Sequence, residues 1–449
     1  MKKKTISKIL AVALTFAMVL GTAACGSKET AEAPAETPAE TEAPAESEAP
    51  AETTADAVDI TLWTYPIGNW GDQATVDALI EKFEAANQGI NVTVEYLDYT
   101  NGDDQINTAI EGGQAPDMVM EGPERLVANW GAKGLMVDIS DMWTDEAKAD
   151  IYPSVEAACK DTSGKYFEYP LCMTAHTMAI NKDMFEAADA LQYVDVENRT
   201  WTTDDFVKAV EALVAYGQDN VAAVYCSGQG GDQGTRALVN NLYGGTFTNP
   251  EHTAYTADSA ENVKALELLA GLEGVNFDAG IAGGDEIQLF VQGQLAMAFC
   301  WNVAQEKNNA EALTFDVLPM SFPSDDGKAE LCGGIWGFGI FDNGDAAKIE
   351  ASKTFINWVC NDEAQATESV KASTYWSVRQ SLADVWTGDE MMTEYATFVP
   401  SMGDYYQVVA GWAEARTAWW NMLQQIGSGT PAADAATAFV ETANAAAGK

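Results

Sequence analysis

The chain carries few residues suited to covalent chemistry. It has two histidines, His176 and His252, and no HExxH, CxxC, GxSxG or GxxxxGK[ST] pattern. So few histidines limit catalysis severely. The Gly228–Gly234 stretch (GQGGDQG) lacks the Lys-Ser/Thr that grips phosphate and reads as a plain loop. His176, within Met-Thr-Ala-His-Thr-Met, reads as a structural histidine. The Asp-Asp pairs at 103/104, 204/205 and 325/326 lack Ca²⁺-loop spacing and read as turns and caps. No catalytic residue, metal ligand or cofactor site is assigned. One enzyme class stays open: among 68 Asp and Glu residues some pair will fall at the separation a glycosidase needs.

Binding is better provided for. Trp63, Tyr65, Trp70, Trp301, Trp336, Tyr375, Trp376 and Trp412 fall near expected strand ends and turns. A flat aromatic face stacks on the C–H-rich face of a pyranose, while Asp, Glu, Asn or Arg neighbours satisfy its hydroxyls. The helical spacing of Trp412, Arg416, Trp419 and Trp420 sends Trp419 or Trp420 into a core instead.

The formal net charge of −44 narrows the partners. Residues 1–57 hold five lysines against nine acidic residues, so most of the excess lies beyond them. A surface this acidic repels nucleic acid and anionic lipid, while neutral and cationic ligands remain open. Of seven cysteines, Cys159, Cys172, Cys226, Cys300, Cys332 and Cys360 are widely spaced, several inside apolar strings. They read as buried free thiols, although their even number also permits disulfides.

The elements that must position these groups alternate. Val58–Trp63 and Ile90–Tyr96 read as strands around a helix at Thr75–Ala86, whose Val76, Leu79, Ile80 and Phe83 share one face and which Gly89 stops. Asp104–Glu111 reads as a helix and Asp117–Met120 as a short apolar strand. This order predicts βαβ units and a largely parallel sheet. Further helices are expected after Thr203, over Ala260–Leu272, over Ala346–Cys360 and from Pro431. Strands are expected at Thr314–Leu318 and Trp336–Ile340.

Ahead of these lie Lys2, Lys3, Lys4 and Lys8, an apolar run from Ile9 to Leu20, and Gly21-Thr22-Ala23-Ala24 before Cys25. A basic start, a short apolar run and small residues make an export signal; the run is too short to span a bilayer comfortably. Ala23-Ala24-Cys25 resembles a bacterial lipobox, with Thr22 where Leu is usual. That resemblance implies a lipidated Cys25 and a signal over 1–24, the two chains of diacylation giving a stable anchor. Residues 25–57 are an Ala/Glu/Pro/Thr spacer that cannot bury enough to fold. At roughly 3.1 Å per residue in polyproline II geometry it would reach about 100 Å.

The motifs, taken in order, resemble those of the extracellular solute-binding proteins of ATP-driven (ABC) sugar importers, the family that includes maltose-binding protein. Gly113-Gln-Ala-Pro-Asp-Met-Val119 is similar to its G-x-x-P-D segment, and Gly164-Lys-Tyr-Phe-Glu-Tyr-Pro170 with Asn181-Lys-Asp-Met-Phe185 to its G-K-x-Y-x-x-P…N-K-D-x-F run. Arg199–Thr203 looks like a T-W helix start without its proline. Phe290-Val-Gln-Gly-Gln-Leu-Ala-Met297 is similar to F-x-x-G-x-A-A-M, and Leu318-Pro319 through Gly333-Gly334 to the returning segment.

The resemblance implies an α/β fold of two lobes, the type II periplasmic-binding-protein-like architecture, with a ligand cleft between lobes joined by a hinge. It places lobe 1 at 58–172 and 336–386, and lobe 2 at 173–335 and 387–449. It also implies ligand contacts at Trp63, Tyr65, Trp70, Glu121, Thr174, Trp301, Trp336, Trp376, Arg379 and Trp412. The expected partners are a mono- or oligosaccharide and importer permease subunits, with no nucleic acid and contact with the membrane only through the lipid. The protein is expected to be a non-enzymatic monomer on the outer face of the bacterial cell membrane. A surface carbohydrate-active enzyme, or the same fold binding a polyamine, is the alternative.

Overall fold

The computed structural model describes residues 57–99, 101–227 and 233–449. The expectations for residues 1–56, including Cys25, and for the loop at 228–232 lie outside the described residues.

Strand β1 (Val58–Thr64) runs parallel to β2 (Ile90–Tyr96) and β3 (Met118–Glu121). The helix joining β1 to β2, Gln73–Ala86, starts where Asp72 accepts from the Thr75 N–H, and it buries Val76, Leu79, Ile80 and Phe83. Gly89 then takes a φ of +95°, a turn that only glycine makes without strain. Phe83 packs edge-on against Phe355 of the Ala346–Asn361 helix, ring centroids 5.0 Å apart, fixing that helix over the sheet.

The chain then leaves the first sheet. Strand β4 (Tyr169–Ala175) still belongs to it, whereas β5 (Thr177–Asn181) is in another, with His176 alone between them. The second lobe holds a parallel pair, β6 (Ala222–Ser227) and β7 (Val275–Ala282). Its other sheet is antiparallel, with β5 between β8 (Met297–Trp301) and β9 (Val317–Met320). The chain returns as β10 (Gly333–Ile340) and ends the first sheet with β11 (Trp376–Ser377), giving the order β11–β4–β10–β3–β1–β2. It crosses once more to the helix Trp412–Gly427, which packs on β6 and β7.

The expected largely parallel sheet is corrected. In the first sheet only β1, β2 and β3 form a parallel block, because β10 and β4 enter antiparallel from the far lobe. The sheet also claims residues 173–175 and 333–335, which the sequence reading assigned to the second lobe. The six cysteines among the described residues are buried and free. Among the described residues no helix is long and apolar enough to cross a membrane.

Candidate functional site

Parallel strands direct ligands to the crevice beyond their carboxyl ends, where backbone groups and loop side chains are unclaimed by the sheet. Here β1 ends at Thr64 and β3 at Glu121, side by side, and the space beyond them is a cavity of about 310 Å³. The first lobe lines it with Pro66, Ile67, Tyr99, Glu121, Glu124 and Arg125, and with Gly334, Trp336 and Tyr375. The second lobe faces them with Gln233, Gly284, Ile287, Cys300, Asn302, Gln305 and Arg416, and His176 lies at the crossing. A larger cavity of about 540 Å³ draws its walls from the second lobe and the last crossing, away from those strand ends.

Two features dominate the wall of the first lobe. One is aromatic: Trp336 lies half-buried on Tyr375, centroids 4.9 Å apart and planes 17° from parallel. Trp386 Nε1 donates to the Tyr375 backbone carbonyl at 2.6 Å and anchors the backbone that carries that ring. Gly334 leaves room for the indole; a Cβ there would sit 2.1 Å from Trp336 Cη2. The platform exposes an apolar π face of the kind that packs on sugar C–H groups.

The other feature is ionic. Arg125 donates to Asp103 at 2.8 and 3.1 Å and to Glu121 Oε1 at 2.9 Å, a charge-assisted cluster held over the stacked rings of Tyr65 and Tyr99. Tyr65 in turn donates to Asp103. The Gly122 N–H donates to Glu121 Oε2 at 2.6 Å. Burial pushes the Glu121 carboxyl up to about 8; Arg125 opposes this, and Glu124 and Asp103 add to it. Glu124 is a neighbour with a separate duty: its Oε2 accepts the Tyr405 hydroxyl at 2.7 Å.

The second lobe supplies amides. Asn302 caps the Val303–Asn309 helix, its Oδ1 accepting from Ala304 N at 2.8 Å. Glu286, fully buried, accepts from Phe299 N and Cys300 N and pins its helix to β8, which sets Gly284, Cys300 and Asn302 at the cleft.

Of the expected ligand residues, the structure brings Glu121 and Trp336 into the cavity. Tyr65 lies just behind it, fully buried under Arg125. Trp70 points into the core of the first lobe, its Nε1 donating to the Ser369 carbonyl at 3.1 Å. Trp301 is equally buried in the second lobe, edge-on to Phe290 and donating to the Tyr395 hydroxyl at 2.7 Å. Trp412 packs against the buried Arg236 guanidinium, 4.7 Å from its ring. Arg379 binds Asp150 at 2.6 Å and lines a separate cavity of about 270 Å³ in the first lobe. Trp63, Thr174 and Trp376 do not line the cleft either; Thr174 is enclosed in β4 and Trp376 is buried in β11.

Sequence reasoning missed Tyr99, Glu124, Arg125, Gln233, Asn302 and Gln305, and it read His176 as purely structural. The charged Glu121-Gly-Pro-Glu124-Arg125 run directly after an apolar strand was the available signal.

Comparison with known proteins agrees with this geometry. A family model described as bacterial extracellular solute-binding protein matches residues 68–366. Comparison with curated proteins returns no match. Among solved structures, the GacH receptor of Streptomyces glaucescens, determined unliganded and with acarbose, is 15% identical; it covers 88% of this chain and 100% of its own, with a TM-score of 0.68. The cyclic α-maltosyl-1,6-maltose binding protein of Arthrobacter globiformis is 18% identical, covering 87% and 99% with a TM-score of 0.69. The maltotriose-bound MalE domain of Bdellovibrio bacteriovorus is 14% identical, covering 86% and 99% with a TM-score of 0.67. Identities this low establish the shared two-lobe fold.

Proposed function

Because the chain belongs to the bacterial extracellular solute-binding protein family, we propose that it is a non-enzymatic receptor that closes its lobes on a mono- or oligosaccharide and delivers it to an ABC importer. The observation that carries the sugar reading is the cavity between the lobes. It sets a stacked Trp336–Tyr375 platform opposite Asn302 and Gln305, with the buried Glu121, Glu124 and Arg125 in the first-lobe wall. An apolar wall with a few fixed polar groups matches the alternation of C–H faces and hydroxyls on a pyranose. Closure follows if the sugar binds the closed state better than the open one, since its polar partners come from both lobes.

The same reading makes the protein a monomer held by a lipid on Cys25 at the outer face of the cell membrane, with the permease subunits as its protein partners. The spacer at 25–57 supplies reach, and tethering raises the receptor's effective concentration near the permease. The mass of the mature N-terminal peptide tests the anchor: a diacylated Cys25 supports it, and an unmodified residue overturns it.

Calorimetric titration of the full chain against neutral and substituted sugars, with tryptophan fluorescence as a second signal, tests the function. Saturable binding by at least one sugar is the expected result. A folded chain that binds none overturns the proposal.

A further inference from the structure

We propose that the ligand presents a protonated amine to the Glu121–Glu124 wall, so that the solute is an aminated carbohydrate. This rests on the sugar reading above and narrows its substrate class.

The wall holds more acid than it can neutralise. Asp103 lies against Arg125, Glu121 and Glu124 line the cavity, and Glu168 is fully buried within reach of both glutamates' charge. Arg125 is the cation that this wall itself supplies, with Arg416 acting on Asp103 from across the cavity, and Arg125's donors are already engaged with Asp103 and Glu121. Glu124 Oε1 stands 3.7 Å from Arg125 Nη1, beyond hydrogen-bond distance, while its other oxygen accepts from Tyr405. Neither carboxyl oxygen of Glu168 makes a hydrogen bond. A neutral hydroxyl offers such a wall only a dipole. An ammonium offers a full charge and up to three donors, and the face of Trp336 in the same cavity also favours a cation.

The opposite wall separates an aminosugar from a polyamine. Gln233, Asn302, Gln305 and Arg416 line it, and among the described residues no carboxylate does. A second ammonium placed there would meet a guanidinium and amides. Ring hydroxyls placed there find donors and acceptors in the amides. The net charge of −44 draws cations toward the chain from a distance.

The arrangement has a proton signature. Burial holds the Glu121 carboxyl up at about 8, with Glu124, Asp103 and Arg125 facing it and Glu168 behind; Glu168 is itself pushed up by burial and by those glutamates. Across the cavity stand Arg416 and His176. An arriving ammonium stabilises the ionised form of Glu121, so protons leave the protein as it binds.

The experiment is calorimetry at pH 6 in two buffers of different ionisation enthalpy, on the full chain. The probes are glucosamine and its β-1,4-linked dimer and trimer, their N-acetylated forms, the corresponding glucose sugars, and spermidine. We expect an aminated sugar to bind at least roughly tenfold tighter than its N-acetylated and neutral counterparts, the gain of one charge-assisted hydrogen bond. Its heat should differ between buffers by a net proton release. Glu124→Gln keeps an acceptor for Tyr405 and should erase most of the preference; if that variant does not fold, the proton release of the unaltered chain decides. Neutral sugars binding as tightly as aminated ones, without proton release, overturn the amine inference and leave the sugar receptor standing. Spermidine binding more tightly than any sugar, or no carbohydrate binding at all, overturns both.

Discussion

The Tyr405 hydroxyl donates to Glu124 Oε2 over 2.7 Å, joining the last crossing of the chain to the first-lobe wall of the cleft. Tyr405 follows a segment that pairs with the strand leading back to the first lobe, through the bridge between Leu331 and Met402. It precedes the helix at Trp412–Gly427 on the second lobe. Both partners are buried, so the bond is worth more than an exposed one and its loss strands a carboxylate oxygen.

Tyr405→Phe should therefore cost about 1–3 kcal/mol of stability, the penalty for an unsatisfied buried acceptor. It should also weaken sugar binding, because Glu124 loses the contact that orients it. Denaturant melts and calorimetry on the same sample separate the two effects. A variant with unchanged stability and affinity would show that the bond orients nothing.

The two tryptophans beside the cleft should respond differently to truncation. Trp336→Ala removes a half-buried stacking face and should reduce sugar affinity by about 1 kcal/mol or more with a modest loss of stability. Trp301→Ala empties a fully buried site and breaks a bond to Tyr395, so it should cost about 3–5 kcal/mol of stability. Equal stability losses in both would place Trp336 in the core.

That contrast explains what the sequence could reveal. The Thr203–Tyr216 helix was legible because Phe206, Val210 and Leu213 repeat at helical spacing behind the Thr202 cap. The last helix was legible because Pro431 stands ahead of an alanine-rich run. The destination of an indole was not, since Trp301 and Trp336 both stand in apolar strands near glycine or small residues. Only the sheet to which each strand belongs decides which ring faces the gap. Glu124 and Arg125 were hidden for another reason. Proline followed by an acidic residue reads as an ordinary helix start, and here the same residues form that start and line the cleft.

Stability should fall as pH rises through neutrality. Burial pushes Glu121 and Glu286 up to about 8 in the folded chain, against an ordinary value of 4.5. Between those values the folded state binds more protons than the unfolded one, so unfolding becomes easier with rising pH. The contribution is fully present below about 4.5 and lost as pH passes 8. Carboxyls that hydrogen bonds draw down, such as Asp205, act in the opposite sense but below that window. Melting temperatures from pH 5 to 8.5 should decline, and Glu286→Gln should flatten the slope. A rising profile would mean that both carboxyls are ionised in the fold.

Gly334→Ala tests whether the platform depends on a missing side chain. Gly334 faces the Trp336 indole so closely that a Cβ would lie 2.1–2.7 Å from three atoms of its six-membered ring. No contact so short survives, so the ring must yield, and the cavity it lines gives it room. Moving it breaks the near-parallel stack on Tyr375, while the strand pairing of Gly334 with Thr174 uses backbone alone and persists. Sugar affinity should therefore fall about as far as in Trp336→Ala, with a smaller loss of melting temperature than a core substitution brings. The change in tryptophan fluorescence on adding sugar should shrink with it. Full affinity in Gly334→Ala would mean that the indole can leave Tyr375 without harm, and that the sugar is held by the polar walls alone.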